Sequence, residues 1–257
     1  MEKKEDFSII SAIDRLEEAH WNLHQIEEHY HEADIMRFSI NSFLRVIKEV
    51  PQILQMELQN IAGFSKWFRE RKSITISDSL MSDLYKKRDI VVHRTMLVPK
   101  SQATLGITRR NGKIKLGFGI ELDPLQDSDI LIIKFLKINI KEHGKNDIFG
   151  FLEDDDETLP CVKRIWKIEP YETEVLDLLV NAWNLTAKLI EDTIIFLGGN
   201  IEEYYLKLGC IHTGSNVNIR AYDRKWLKDI EKDIESGEED YKLIAKLKYL
   251  REKAMYR

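Results

Sequence analysis

The spacing of hydrophobic residues is helical in the first part of the chain. Apolar positions recur every three to four residues against a polar face rich in Glu, which predicts an amphipathic helix over about residues 7–31. A second helix is predicted over about 34–60, and Pro51 is expected to kink it because proline lacks a donor for the helical ladder. Gly63 interrupts the pattern, and a short helix is predicted over 64–71.

A third long helix is predicted to begin at Ser77 or Asp78, since either side chain is a good N-cap. The β-branched pair Val91-Val92 and then Pro99 indicate that this helix ends near His93. Helical spacing returns over 172–197, where the apolar face is broad. Two charged helices are predicted further on, over about 223–235 and 239–255.

Between about residues 97 and 168 the hydrophobic pattern changes to the alternation typical of strands. Two alternating runs flank Asn111-Gly112, the preferred dipeptide of a two-residue hairpin turn, so a β-hairpin is predicted here. Further strands are predicted at about 130–138, 148–152 and 161–168. The acidic run over 153–157 lacks the glycine and the spaced ligands of a calcium loop, so we interpret it as a solvated turn.

These elements predict an α+β protein that is mainly α. Residues 1–96 would supply the first three helices of a four-helix bundle, and residues 171–199 the fourth. Residues 97–170 would form an inserted antiparallel β subdomain. Residues 200–257 would form a C-terminal extension that ends in a helical hairpin.

The charge of the chain limits how it could bind nucleic acid. The 257 residues are 43% hydrophobic, which suffices for a real core, and they carry a formal charge of −5. Such a chain does not coat nucleic acid non-specifically, so any RNA site must be a local basic patch. Residues 63–100 contain nine Lys or Arg against four Asp or Glu, a local balance of +5.

The cysteines and the apolar segments indicate a cytoplasmic protein. Only Cys161 and Cys210 occur, too few for a disulfide framework or a cysteine-based zinc site. Five of the first six residues are charged, and they lead into no secretory segment. Polar and charged residues interrupt the apolar helix at 175–197, which favours a bundle helix over a membrane span.

The candidate chemistry lies in the third long helix, at Arg88, Asp89 and His93. Arg88 offers a planar fork of donors that fits phosphate oxygens, and His93 can give or take a proton near neutral pH. On a continuous helix Arg88 and His93 would lie roughly 140° apart, whereas Asp89 and His93 share a face and could form a hydrogen bond. Arg88 must therefore reach round, be redirected at a helix end, or act with the His93 of a second subunit. The last option predicts a dimer.

This Arg-Asp-(three residues)-His pattern resembles the signature of HEPN-domain ribonucleases, in which an Arg, a polar residue and a His four to six positions after the Arg lie in a helical bundle. The resemblance extends upstream to Trp67-Phe68-(two residues)-Arg71. It implies a homodimer that cleaves RNA without a metal or other cofactor. Such proteins often act as toxins or phage-defence effectors, which implies an antitoxin or a defence-system partner. It also implies catalytic and substrate-binding roles for particular residues: catalytic Arg88, His93 and Asp89, and RNA-binding Lys86, Lys87 and Arg94.

The same residues also allow a non-catalytic interpretation. A second match to the spacing, Arg15 with His20, has Leu16 in place of the polar residue, and we interpret it as chance. Arg88 could be a solvated helix residue and His93 a satisfied helix-end histidine. The protein would then be a non-catalytic module that binds RNA, a nucleotide or a protein. Walker, dinucleotide-glycine, His-Glu-x-x-His and Gly-x-Ser-x-Gly motifs are absent from the sequence.

The first helix carries four histidines, and the step from His20 to His24 would suit two metal ligands on one face. The sequence implies no third ligand. His20 falls on the apolar stripe, where a satisfied core histidine is the simpler interpretation. No metal site is therefore predicted.

Overall fold

The protein is mainly helical with one small antiparallel sheet, an α+β architecture as predicted. A computed structural model describes residues 9–109, 114–143, 158–204 and 209–236. The chain divides into two compact units. The first comprises residues 1–28, 37–97 and 175–213, and the second comprises residues 29–36, 98–174 and 214–257. The domain boundaries predicted from the sequence at residues 96, 170 and 199 stay a prediction.

Eight α-helices and four strands are named in chain order within the described ranges. The helices are α1 (Ile10–Glu28), α2 (Ala33–Leu58), α3 (Phe64–Ser77), α4 (Ser79–His93), α5 (Ser128–His143), α6 (Val175–Phe196), α7 (Gly214–Val217) and α8 (Arg224–Ser236). The strands are β1 (Lys100–Arg109), β2 (Ile114–Glu121), β3 (Thr158–Lys167) and β4 (Ile219–Ala221), and a 3₁₀ turn covers Ile201–Tyr204.

The first unit is a helical core made by α1, α2 from Arg37 onward, α3, α4 and α6. Helix α6 is the most buried, and its broad apolar face was predicted from the sequence. The indole of Trp183 in α6 donates a hydrogen bond to the Leu16 carbonyl of α1 at 3.0 Å. Helix α2 continues past Pro51, which is itself buried. Among the described helices none is both long and apolar enough to cross a membrane.

The second unit is built on the sheet, whose strand order is β2-β1-β3-β4 with every pair antiparallel. The predicted hairpin is confirmed by the pairing of β1 with β2, in which Leu105 lies opposite Phe118. Its Asn-Gly turn lies outside the described residues. Leu105 also lies opposite Val162 of β3. One face of the sheet packs against α5 through Leu131 and Ile132.

Several predicted elements differ from the structure. The strand predicted at 130–138 is wrong, because this segment is the middle of α5. A continuous apolar run does not distinguish a buried strand from a buried helix by its period. Helix α3 is longer than predicted, and the short helix α7 is an element that was not predicted. The predictions at 148–152, 153–157 and 239–255 lie outside the described residues.

A buried arginine links the sheet of the second unit to the loop that precedes α5. Arg164 of β3 is 0% exposed. Its Nε donates to Ser101 Oγ at 2.9 Å and its Nη1 to the Gln126 carbonyl at 2.7 Å. The guanidinium also lies 3.7 Å from the ring centroid of Trp166. Burial lowers the pKa of Arg164 to about 9, so the group remains a cation at neutral pH.

A buried histidine in the same unit is held in its neutral form. His31 Nε2 lies 3.0 Å from the Val217 carbonyl, and Nδ1 lies 2.8 Å from Ser128 Oγ. A carbonyl only accepts, so Nε2 carries the proton and Nδ1 accepts from the Ser128 hydroxyl. Burial, with a smaller effect of the Arg220 charge, lowers the pKa of His31 to about 4.

We expect His31 to make the protein less stable in acid. The unfolded chain takes up a proton near pH 6.5, whereas folded His31 takes it up only near pH 4, so stability contributed above pH 6.5 is lost as the pH falls toward 4. The lowering corresponds to about 3 kcal/mol. Urea denaturation measured across this range should show a shallower pH dependence for His31→Gln. An unchanged slope would contradict the prediction.

Candidate functional site

Helix α4 presents the predicted site residues on a well-anchored helix. Asp78 caps its first turn by accepting a hydrogen bond from the Leu80 backbone N–H at 2.8 Å, as predicted. Leu80, Met81 and Leu84 are buried and fix one face of the helix in the first unit. Lys86 and His93, on the opposite face, are exposed to solvent.

Asp89 is the centre of a small ionic cluster. Lys48 of α2 donates to Asp89 Oδ1 at 2.6 Å, and Arg88 Nη1 donates to the same oxygen at 3.3 Å. The hydrogen bond from Lys48, followed by the charges of Lys48 and Arg88, lowers the pKa of Asp89. The predicted hydrogen bond between Asp89 and His93 is not formed, and the bonds that the Asp89 carboxylate accepts come from Lys48 and Arg88.

The Arg88 side chain is only 19% exposed, yet it is incompletely satisfied. Its Nε is buried without a hydrogen-bond partner, and Nη2 has none among the described residues. Buried donors of a guanidinium are usually paired, since an unpaired one loses its hydration without compensation. Arg88 therefore keeps donors available beside its bond to Asp89.

His93 is the last residue of α4, and it is exposed. The His93 imidazole forms no hydrogen bond with another residue in the described part of the chain. The segment that follows is held by Asn41, whose Nδ2 donates to the Leu97 carbonyl at 2.9 Å and whose Oδ1 accepts from the Leu97 N–H at 2.8 Å. Because α4 runs unbroken through both residues, Arg88 and His93 lie roughly 140° apart and do not meet within one chain.

The three predicted RNA-binding cations have different surroundings. Lys86 and Arg94 are exposed. Lys87 is more enclosed and lies 3.4 Å from the Asp83 carboxylate, one helical turn earlier. Lys48 and Lys72 are two further cations whose charges interact. Burial, followed by the charge of Lys48, lowers the pKa of Lys72.

A shallow groove on α2 and α3 begins at Lys72. Its volume is about 570 Å³, and its lining is polar except for Phe68: Gln55, Gln59, Ser65, Phe68, Arg69, Lys72 and Ser73. Amide, hydroxyl and cationic groups are the donors that contact phosphate and sugar oxygens. The ring of Phe68 is only 2% exposed and is part of the core.

Three large apolar side chains near the C-terminal end of α4 are exposed: Ile90 at 47%, Val92 at 43% and Met96 at 38%. Ile90 precedes His93 by three residues, so the two side chains lie on the same side of the helix. Exposed apolar residues grouped around a polar candidate site are typical of an interaction surface.

Sequence analysis missed two residues that join the first-helix histidines. Cys210 and His212 approach His20, and His212 also approaches His24 and Glu27. The Cys-x-His spacing at 210–212 is visible in the sequence and is typical of metal ligands. Some 190 residues separate it from His20 and His24, so the sequence alone did not show that the two pairs meet. His20, which completes the second match to the Arg-to-His spacing, thus belongs to this histidine and cysteine cluster.

Comparison with known proteins gives a single family similarity. A family model described as Bacteriophage lambda protein ea47 matches residues 2–109, which is less than half of the 257 residues. The matched segment covers α1 to α4 and β1, including the whole Arg88 to His93 region. No curated protein matches the chain. No solved structure matches it either.

Proposed function

We propose that this protein is a metal-independent endoribonuclease of the HEPN type whose catalytic site is shared between two subunits. The observation that carries the proposal is His93, an exposed imidazole with no hydrogen-bond partner among the described residues, at the end of a cationic helix. An imidazole left free at such a position is available for proton transfer.

In the proposed reaction His93 accepts the proton of the ribose 2′-hydroxyl. The 2′-oxygen then attacks the adjacent phosphorus, and the bond to the 5′-oxygen breaks as that oxygen receives a proton. The products are a 2′,3′-cyclic phosphate and a free 5′-hydroxyl. Arg88 stabilises the added charge on the phosphate through donors that Asp89 leaves free.

Helix geometry supports the dimer. Arg88 and His93 of one chain leave α4 roughly 140° apart, and a second subunit could place its own His93 beside Arg88 on one phosphate. The exposed Ile90, on the His93 side of the helix, together with Met96 supplies apolar area for a contact with a second copy. A twofold axis beside this surface would bring each Arg88 toward the partner's His93.

Cations around α4 give the RNA a path to the site. Exposed Lys86 and Arg94 would bind flanking phosphates, and the groove that begins at Lys72 would take the backbone further along. The net charge of −5 makes this local patch the favoured place for a polyanion. The RNA-binding role of Lys87 is weaker in this proposal, since Asp83 already partners it.

The biological role we propose is that of a toxin or phage-defence effector acting in the cytoplasm, with an antitoxin or another defence protein as its partner. Its support is the HEPN resemblance together with the similarity of residues 2–109 to a bacteriophage lambda protein. RNA cleavage of this kind needs control, which is the reason to expect a partner.

One observation favours a second candidate function. Arg88 forms an ion pair with Asp89, and Asp89 is in turn bound to Lys48, an arrangement that also suits a purely structural role. The alternative is a non-catalytic helical module that binds RNA through the same cations. It predicts RNA binding without cleavage.

The experiment is cleavage of end-labelled structured and unstructured RNAs by the purified full chain in excess chelator. We expect cleavage with 2′,3′-cyclic phosphate ends, and a decrease of about 10²–10⁴-fold for Arg88→Ala and for His93→Ala. Arg88→Lys should recover only part of the rate, because an ammonium lacks the planar fork.

The matched control is Arg45→Ala, which removes an exposed arginine of α2 in the same unit. It should cleave at the unaltered rate. Equal cutting by all variants would indicate a contaminating nuclease. RNA binding that persists without any cleavage would replace the ribonuclease with the binding module.

A further inference from the structure

The first unit contains a cluster of three histidines and one cysteine that the ribonuclease proposal does not use. His20 and His24 lie one turn apart on α1, and Cys210 and His212 lie on the segment after the 3₁₀ turn. Ring centroids are 4.6 Å apart for His20 and His24, 5.3 Å for His20 and His212, and 4.2 Å for His24 and His212.

We propose that His20, His24, Cys210 and His212 bind one Zn²⁺ or a similar divalent transition metal in a tetrahedral site. The potential ligand atoms of His20, Cys210 and His212 all lie within 4.8 Å of one another. Bonds of about 2.0–2.1 Å to nitrogen and 2.3 Å to sulfur require slightly closer packing, which side-chain rotation supplies. Mixed imidazole and thiolate ligands favour zinc over calcium or magnesium.

Glu27 orients one of the four ligands. Its Oε2 lies 2.5 Å from His212 Nδ1. An ionised carboxylate only accepts, so Nδ1 carries the proton and the lone pair of Nε2 is left for a metal. A carboxylate behind a metal-binding histidine is the usual arrangement in zinc proteins, where it fixes the tautomer and raises ligand basicity. Glu27 is thus a positioning residue in this site.

Cys210 is buried and held in place by its backbone. Its N–H donates to Asn184 Oδ1 of α6 at 3.0 Å. Burial raises the pKa of the Cys210 thiol, against a smaller lowering by the backbone N–H of His212. Metal binding would therefore displace the thiol proton to solvent as the sulfur–metal bond forms.

The cluster is closed on one side by an aromatic side chain. Trp183 packs against the His20 ring at 5.0 Å between centroids and closes one side of the cluster. With four protein ligands the site would be structural, joining the 209–213 segment to α1.

This inference does not rest on the proposed ribonuclease function. The test is titration of the chelator-treated full chain with Co²⁺, followed by optical absorption. We expect one ion per chain, intense visible bands of tetrahedral cobalt, a thiolate-to-cobalt charge-transfer band in the near ultraviolet, and displacement of all of them by Zn²⁺. Absence of stoichiometric binding would overturn the proposal.

Variants identify the ligands. Cys210→Ser should lose the charge-transfer band and His212→Ala the tetrahedral spectrum, while Glu27→Gln should weaken zinc binding about 10–100-fold. The matched controls are Cys161→Ala and His29→Gln, whose residues lie in the second unit, and both should bind as the unaltered protein does.

The sequence holds only two cysteines, so a band that survives in Cys161→Ala must come from Cys210 even if Cys210→Ser does not fold. A band lost in Cys161→Ala, or retained in a folded Cys210→Ser, would overturn the proposal.

Discussion

An equimolar mixture of Arg88→Ala and His93→Ala proteins is expected to cleave RNA although neither protein does so alone. Random exchange of subunits makes half of the dimers mixed, and each mixed dimer holds one intact site of two, so we expect about a quarter of the unaltered rate. Each variant by itself should be slower by about 10²–10⁴-fold, since it lacks either proton transfer or charge stabilisation.

The physical reason is the angle between the two side chains on α4. The helix is continuous from Ser79 to His93, so the two side chains leave its axis roughly 140° apart, and in the proposed dimer each Arg88 acts with the His93 of the partner subunit. In a mixed dimer the intact Arg88 comes from one subunit and the intact His93 from the other. Complementation therefore tests the shared site itself, whereas a loss of activity in single variants does not.

The control for complementation is a mixture of the Arg88→Ala protein with the double variant Arg88→Ala/His93→Ala, in which no dimer can contain an intact site. It should remain inactive under the same exchange conditions, which labelled subunits would verify. If mixing restores nothing while exchange is complete, both groups act within one chain and the shared site is wrong.

Replacement of the buried Arg164 by Met is expected to give the largest loss of stability. The substitution keeps much of the volume but leaves Ser101 Oγ and the Gln126 carbonyl without the donors that reach them at 2.9 and 2.7 Å. A buried acceptor left unsatisfied costs about 1–3 kcal/mol. Loss of the cation over Trp166 adds to this, so we expect a decrease of about 3 kcal/mol or more in the free energy of unfolding.

Urea denaturation followed by tryptophan fluorescence measures this difference. The matched control is Lys163→Met, which removes a cation from the neighbouring, more exposed position of β3 and should change stability by less than about 0.5 kcal/mol. If the Arg164→Met protein is as stable as the original, the hydrogen bonds of Arg164 only offset the cost of burying its guanidinium.

The elements that sequence analysis placed correctly are those defined by local interactions. Hydrophobic period and the Asp78 cap predicted α4 and its end at His93, and alternation on both sides of Asn111-Gly112 predicted the pairing of β1 with β2. The strand predicted at 130–138 was wrong because the local pattern is ambiguous there. A continuous apolar run does not show whether a segment is a helix or a strand, and α5 is defined by its packing against the sheet.

The amino-acid sequence by itself determined the class of fold, the cationic helix and the angle between Arg88 and His93, because each follows from residues within a few turns of one another. Tertiary structure alone decided that Asp89 binds Lys48, 41 residues away, in place of His93. It also decided that Cys210 and His212 join His20 and His24. Such contacts depend on how distant helices pack, and helical period sets only which face of each helix is available for packing.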